Sequence, residues 1–246
     1  MPFDPNAILE IHEVIGPSDQ GRSRPYKCRA SDGSIYYVKG QQTNRRSLWC
    51  EWIAAHLARS LGLELPPFAI LQLDEALLQE LPREWREIGC MPAFGSRLHP
   101  SSTWLEPSLV DQVPIETQRA VLAFDWWIKN GDRLKGNSNL LWDASAKRLV
   151  IIDHNLAFDP DLSHEEFTEN HIFADQWPLL SADLMDLAEH LRRLSAALPE
   201  AQIACDNAPP EWHWENSELD VRCKFDLATV MTTLARCATL EQWRTV

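Results

Sequence analysis

Residues 130–158 read NGDRLKGNSNLLWDASAKRLVIIDHNLAF, and the rest of the chain is best understood outward from them. Asp132 stands five residues before Asn137 in a loop. Two short strands are predicted next, Asn139–Trp142 and Leu149–Ile152, separated by a DASAKR turn. The second is an apolar run that ends in Asp153. A loop Asp beside a loop Asn, with a second Asp delivered by a hairpin, suits phosphoryl transfer from ATP. One Asp orients the attacking hydroxyl or accepts its proton. The Asn oxygen and the second Asp bind Mg²⁺, a hard cation that takes oxygen ligands. Turns also use Asp and Asn for purely backbone reasons, so it is the apolar strand ending in Asp153 that gives the spacing its weight.

Upstream, Ile115–Asn130 has helical spacing through Val121, Leu122, Phe124 and Ile128, with Asn130–Gly131 as the expected stop. The first third of the chain is richer in strands. Ile8–Ile15 alternates, and Gly16–Pro25 is a Gly/Ser/Pro loop whose N–H groups could cap phosphates. Tyr26–Ala30 and Ile35–Lys39 form a hairpin around an Asp-Gly turn. A helix is predicted over Arg45–Leu61, with Trp49, Ile53 and Leu57 on one face and Gly62 ending it; Phe68–Leu73 is a further strand. Residues 89–104 (GCMPAFGSRLHPSSTW) read as a loop joining two lobes. The tail is expected to hold helices over Ala182–Leu198 and Asp226–Leu240, around a Pro- and Trp-bearing stretch at Asn207–Trp214. The fold class is therefore α+β.

Two residues of the first third fit a phosphate site independently. Lys39 closes its strand, where an ammonium can reach phosphate oxygens; an ordinary solvated strand-end lysine would look the same. Glu51 lies on a small-residue face of the helix, with Ser47, Ala54 and Ala55, beside the apolar stripe. An unpaired carboxylate buried there is costly, and a Lys39–Glu51 pair would remove that cost. An exposed helix glutamate is the plain alternative.

Charge narrows the partners. The chain has 246 residues, 23 basic and 36 acidic, for a net charge of −13. Residues 1–154 carry 17 basic and 19 acidic side chains, whereas residues 155–246 carry 6 and 17. Nucleic acid and anionic membrane surfaces both require Lys and Arg against phosphate, so neither is expected as a partner. A protein acceptor with a basic surface is expected instead, drawn by the acidic C-terminal part. The N-terminus shows no secretory pattern and no window is apolar enough to span a membrane. The six cysteines include no CxxC pair, so reduced thiols and a cytoplasmic location are expected. The histidines show no HExxH spacing, which speaks against a zinc site.

Taken in order, Lys39, Glu51, Asp132, Asn137 and Asp153 resemble the HipA-like branch of the protein-kinase-like superfamily. They are similar, more distantly, to phosphatidylinositol 3-/4-kinases. GDRLKGNSNLL followed by LVIIDHNLAF resembles the catalytic and metal-binding segments of that branch. GRSRP followed by YYVKG resembles its glycine/serine loop and lysine strand, and CEWIAAHLARSLGLELPPFAI its glutamate-bearing helix. The resemblance implies one two-lobed kinase domain over 1–246: a small β-rich N-lobe with one key helix (about 1–90), a hinge (about 89–95) meeting adenine, and a larger, mainly helical C-lobe (about 96–246). It implies Asp132 as catalytic base, Asn137 and Asp153 as Mg²⁺ ligands, and Lys39 on the ATP phosphates held by Glu51. Gly21, Ser23 and Arg24 would lie over those phosphates, and Ser18 and Ser23 are candidates for autophosphorylation. The histidine that often follows the Asp-Arg pair in related sequences is replaced here by Leu134.

The expected activity is ATP- and Mg²⁺-dependent transfer to a protein Ser/Thr hydroxyl. The family adds a toxin-type regulatory role, neutralised by an antitoxin partner. Two alternatives stay open. One is a lipid or small-molecule kinase, against which the scarcity of basic residues after 154 counts. The other is a nucleotide-binding pseudokinase or regulatory partner, which Leu134 keeps in view.

Overall fold

The computed structural model of the chain describes residues 8–18, 24–100, 102–236, 239 and 243. Contacts divide the chain into two compact units, each assembled from separated segments. The first holds residues 1–52, 66–100 and 207–225; the second holds 53–65, 101–206 and 226–246.

The first unit is built on a closed five-stranded barrel of β1 (Ile8–Pro17), β2 (Tyr26–Ala30), β3 (Ile35–Lys39), β4 (Phe68–Gln72) and β5 (Ala93–Arg97), in the order β1-β2-β3-β5-β4. All neighbours are antiparallel except β1 and β4, whose parallel pairing of Ile8–Glu10 with Ile70–Gln72 closes the ring. The hairpin β2–β3 has the expected bounds, with Gly33 (φ 80°) supplying the left-handed turn residue. Alternation sends Tyr26, Cys28, Ala30, Tyr36 and Val38 inward against Ile11, Val14, Ala69, Leu71 and Ala93. After β4 the chain makes α2 (Glu75–Glu80), capped by Asp74, and a 3-10 turn at Arg83–Ile88.

The strand β5 corrects the reading of residues 89–104 as loop. Gly95 belongs to that strand. Here it sits mid-strand because a Cβ at that position would come within 1.7 Å of Leu71 Cδ1.

The helix α1 (Arg45–Ser60) begins behind Asn44, whose Oδ1 accepts from Ser47 N at 2.8 Å. It ends as expected at Gly62 (φ 73°), with Gly62 N donating to Arg59 O and Leu63 N to Ala58 O. Its first half, through Trp52, belongs to the barrel unit and packs edge-on against Phe68 of β4 at 5.7 Å. The segment Asn207–Phe225 also belongs to this unit, although helices of the second unit flank it on both sides. Its fully buried Trp212 meets Trp49 and Trp52 edge-on, each at 5.9 Å. The indole N–H of Trp212 donates to Pro92 O at 2.7 Å, and that of Trp49 to Trp212 O at 3.0 Å.

Among its described residues, the second unit contains a three-stranded antiparallel sheet, β6 (Thr103–Trp104), β7 (Leu140–Asp143) and β8 (Arg148–Ile151), and five further α-helices. These are α3 (Ile115–Trp127), α4 (His164–Asn170), α5 (Trp177–Ala182), α6 (Leu184–Asn207) and α7 (Leu227–Ala235). The second half of α1 belongs here, and the chain after it is tied to β8 by Ile151 N donating to Glu64 O at 2.9 Å. Several helix ends differ from expectation; α7, for one, ends at Ala235, and its expected end, Leu240, lies outside the described residues. α3 stops at Trp127, three residues short of Asn130, with Lys129 rather than Gly131 in the left-handed conformation (φ 52°). The strain is offset by the ammonium of Lys129, which lies 4.2 Å above the Trp126 ring and donates to Leu162 O at 2.6 Å. α6 runs through Pro199 rather than stopping at Leu198. The proline faces solvent, while Leu187, Leu191, Leu194, Ala197, Ala201 and Ala204 keep one buried stripe past it.

Candidate functional site

In the barrel unit, Lys39 is the last residue of β3 and is paired across the sheet with Phe94. Its Nζ donates to Glu51 Oε1, and both side chains are almost wholly buried. The expected pair is thus formed. Neither charge is easily tolerated without the other, because a buried ion left unpaired loses its hydration with no compensation. Arg24 is described, exposed and left-handed (φ 41°). Gly21 and Ser23 lie outside the described residues. Ser18 is buried, and its backbone N donates to Pro25 O at 2.7 Å, closing the base of the loop.

The second unit assembles the acidic residues. Asp132 follows the α3 terminus, and its carboxylate Oδ2 accepts from Asn139 Nδ2 at 3.0 Å. The same amide donates to the Asp132 carbonyl at 3.2 Å. Asn137, singled out from spacing, is exposed, and its amide stands 3.5 Å from Asp132 Oδ2. Asn139 is buried. It immediately precedes β7, and its carbonyl accepts from Ile152 N at 3.1 Å, which brings it beside the residue before Asp153. Asp153 is half-buried and left-handed (φ 56°), a backbone state that short polar side chains tolerate at some cost. The sequence reading assigns the ligand role to Asn137; Asn139 carries the same side-chain chemistry and stands at the start of the expected Asn139–Trp142 strand.

Beneath these residues lies a cluster that sequence reasoning did not identify. Asp125, on α3, accepts from Arg133 Nε (2.6 Å), Arg133 Nη2 (3.3 Å), His171 Nε2 (3.0 Å) and Asn130 Nδ2 (2.9 Å). Asp125, Arg133 and His171 are all buried. Burial alone would raise the Asp125 carboxyl. The Arg133 charge and the hydrogen bonds from His171 and Arg133 outweigh it and hold the group well below the usual carboxylate range. Burial is the main influence on His171 and holds it below its ordinary value, against the pull of Asp125. His171 Nδ1 accepts from Phe173 N at 3.1 Å, so the proton sits on Nε2 and a neutral imidazole satisfies both bonds.

Asp132, Asn137, Asn139 and Asp153 offer oxygen donors, which suit a hard divalent cation and not zinc. Among the described residues no group of three or more His, Cys, Asp or Glu side chains is arranged to hold a metal unaided. No helix of the described residues is long and apolar enough to cross a membrane.

Comparison with known proteins places the fold and the family. No curated protein matches the sequence. Among solved structures, the proinflammatory kinase CtkA of Helicobacter pylori superposes with a TM-score of 0.58 at 12% identity, covering 98% of this chain and 97% of that one. The Golgi casein kinase superposes with a TM-score of 0.57 at 12% identity, covering 95% and 73%. A form of it with Mn and ADP bound gives 0.55 at 11%. Identities this low establish a kinase-like fold of mixed helix and strand. A family model described as HipA-like kinase matches residues 11–246. With that match over nearly its whole length, the chain belongs to the HipA-like kinase family.

Proposed function

We propose that the protein transfers the γ-phosphoryl group of ATP to a Ser or Thr hydroxyl of another protein, using a divalent cation, Mg²⁺ in the first instance. The barrel unit would serve as the small lobe and the second unit as the large one. The reading is carried by one observation: Asn139 bonds the Asp132 carboxylate through its side chain and the strand end leading to Asp153 through its backbone.

In this reading Asp132 orients the acceptor hydroxyl and accepts its proton, and Glu51 holds Lys39 toward the phosphates. Asp153 and Asn139 supply oxygen ligands. Both Asn139 contacts to Asp132 use the amide nitrogen, so Oδ1 is the atom left to ligate; Asn137 is the competing assignment. When bound, the cation neutralises phosphate charge. Arg24, with Gly21 and Ser23, would cover the phosphates. Adenine would meet the chain at the hinge, about residues 89–95, where the chain enters β5. The acceptor would present a basic surface, since residues 155–186 contain eight acidic side chains and no Lys or Arg. A toxin-type role rests on the family alone; it requires growth arrest on expression that Asp132→Ala relieves.

The decisive experiment incubates the protein with γ-labelled ATP, Mg²⁺ and a cell lysate. Labelled Ser or Thr in a protein, lost in Asp132→Ala and Asp153→Ala, supports the reading. Nucleotide binding with no transfer to any acceptor would sink it in favour of a nucleotide-binding regulator, and label recovered only in lipid would favour a lipid kinase.

A further inference from the structure

We propose that Asp125, Arg133 and His171 are positioning residues that lock the candidate catalytic loop, the end of β8 and the segment after Asp153 into one working arrangement, with no covalent modification of that segment. The inference rests on the kinase reading for its activity readout, but its geometry stands alone.

Asp125 reaches Asp132 from two sides. Its Oδ1 holds the Asn130 amide, and Asn130 Oδ1 accepts from Asp132 N at 3.4 Å. Both of its oxygens also hold Arg133, the next residue in the chain. The remaining Arg133 nitrogen, Nη1, donates to three carbonyls, those of Ser138 (3.5 Å), Asn139 and Ile152 (3.3 Å). One guanidinium therefore fixes the backbone at Asn139 and at the residue before Asp153. A lysine could not do so, because its single nitrogen lacks the planar fork.

His171 extends the same device. Its ring bonds the shared carboxylate, its backbone bridges to Leu134, and Ile172 N donates to Arg133 O at 2.9 Å. The near end of the segment is fastened by Phe158 N to Ile128 O (2.6 Å) and Asp159 N to Lys129 O (3.2 Å). Both ends of residues 154–173 are thus tied to α3 and the loop after it. Many kinases order the corresponding segment by phosphorylation, which needs a cation to receive the new charge. Residues 155–170 contain two hydroxyl side chains, Ser163 and Thr168, and no Lys or Arg. Both hydroxyls already serve local structure. Ser163 Oγ caps α4 by accepting from Glu166 N at 3.1 Å, and Thr168 Oγ1 donates to His164 O at 2.9 Å.

A buried ion pair adds little net stability over an apolar replacement, which is why positioning and not stability is the assigned role. The test uses the full chain in five forms besides wild type: Arg133→Lys, His171→Gln, His171→Leu, the Ser163→Ala/Thr168→Ala double variant and Asp132→Ala. Label transfer from γ-labelled ATP gives kcat and acceptor KM. Amide hydrogen exchange is followed over residues 130–140 and 152–173. Arg133→Lys should lose about 100-fold in kcat with acceptor KM within about 3-fold, the scale expected for ångström misplacement. Exchange should quicken in both stretches together.

His171→Gln, which keeps a donor, should retain far more kcat than His171→Leu. The Ser163/Thr168 double variant should stay within about 3-fold of wild type in kcat. Arg133→Lys with wild-type kcat and wild-type exchange would overturn the inference, as would loss of activity in the double variant. Should Arg133→Lys fail to fold, the His171 pair decides by the same readouts. If wild type transfers no label, the kinase reading fails while the exchange results still decide whether the lock exists.

Discussion

Asn139 and Asp153 stand at the open end of the β7–β8 hairpin, joined through Ile152, whose N–H donates to Asn139 O at 3.1 Å; both are in left-handed backbone (φ 47° and 56°), and Arg133 holds the carbonyls of Asn139 and Ile152. Two non-glycine residues in that conformation cost on the order of 1–3 kcal/mol each, and such strain persists where surrounding bonds over-determine it. Asn139→Ala should therefore lower phosphoryl transfer about 100-fold and raise the Mg²⁺ concentration needed for half-maximal rate, whereas Asn137→Ala should stay within about 5-fold. Rates measured across a Mg²⁺ series separate the two; the reverse order would return the ligand role to Asn137.

The Lys39–Glu51 pair should show strong coupling. Glu51→Leu or Lys39→Met alone leaves one buried charge and should destabilise the protein by roughly 3–5 kcal/mol, with the double variant closer to wild type than either single. Urea denaturation of the four forms checks this. Phosphoryl transfer should be lost in all three variants, recovered stability notwithstanding.

Trp212 closes the aromatic contact with Trp49 and Trp52 from a distant part of the chain. Trp212→Ala should cost about 3–5 kcal/mol, as for other large buried aromatics. A denaturation midpoint within error of wild type would mean that residues 207–225 rest on the unit without supporting it.

Gly95 should reject even one methyl group. Gly95→Ala places a carbon against Leu71 Cδ1 and should destabilise by about 1–3 kcal/mol or more. Adding Leu71→Ala should recover part of that loss, which is the signature of a steric conflict between those two residues and not of a lost turn conformation.

Acid should weaken the fold before carboxylates titrate. Burial, helped by the Arg59 charge, pushes His56 down to about 4 from 6.5, and His171 is lowered in the same direction. Between those values the unfolded chain binds more protons than the folded one, so stability is full above pH 6.5 and falls as the pH drops toward 4. Asp125, held low in the folded state, adds stability that is present above the ordinary carboxylate range and disappears only at more acidic pH. Urea midpoints measured from pH 7 to 4 should fall, and His56→Gln should flatten the slope.

Local pattern was enough to read the β2–β3 hairpin, the body of α1 with its Gly62 stop, and the β7–β8 hairpin. Each is set by neighbours a few residues apart: alternation, helical spacing, a glycine free to turn left-handed. The same pattern singled out Lys39, Glu51, Asp132, Asn137 and Asp153 as candidates, because strand ends, turns and helix faces announce themselves locally. It could not show that Gly95 lies in a strand, since that depends on Leu71 filling the space above it. Nor could it choose between Asn137 and Asn139, which differ in burial and not in type.

By itself, then, the sequence determined the order of the elements, the charge imbalance and the polar residues at the strand ends. The tertiary structure alone decided that β1 pairs with β4 to close a barrel and that Asn207–Phe225 belongs with the N-terminal unit. It also decided that Asp125, Arg133 and His171 share one buried carboxylate. Those are contacts between residues far apart in the chain or hidden on the inner face of a helix. Their energy comes from burial and hydrogen bonds that exist only once the chain has folded, so no local spacing records them.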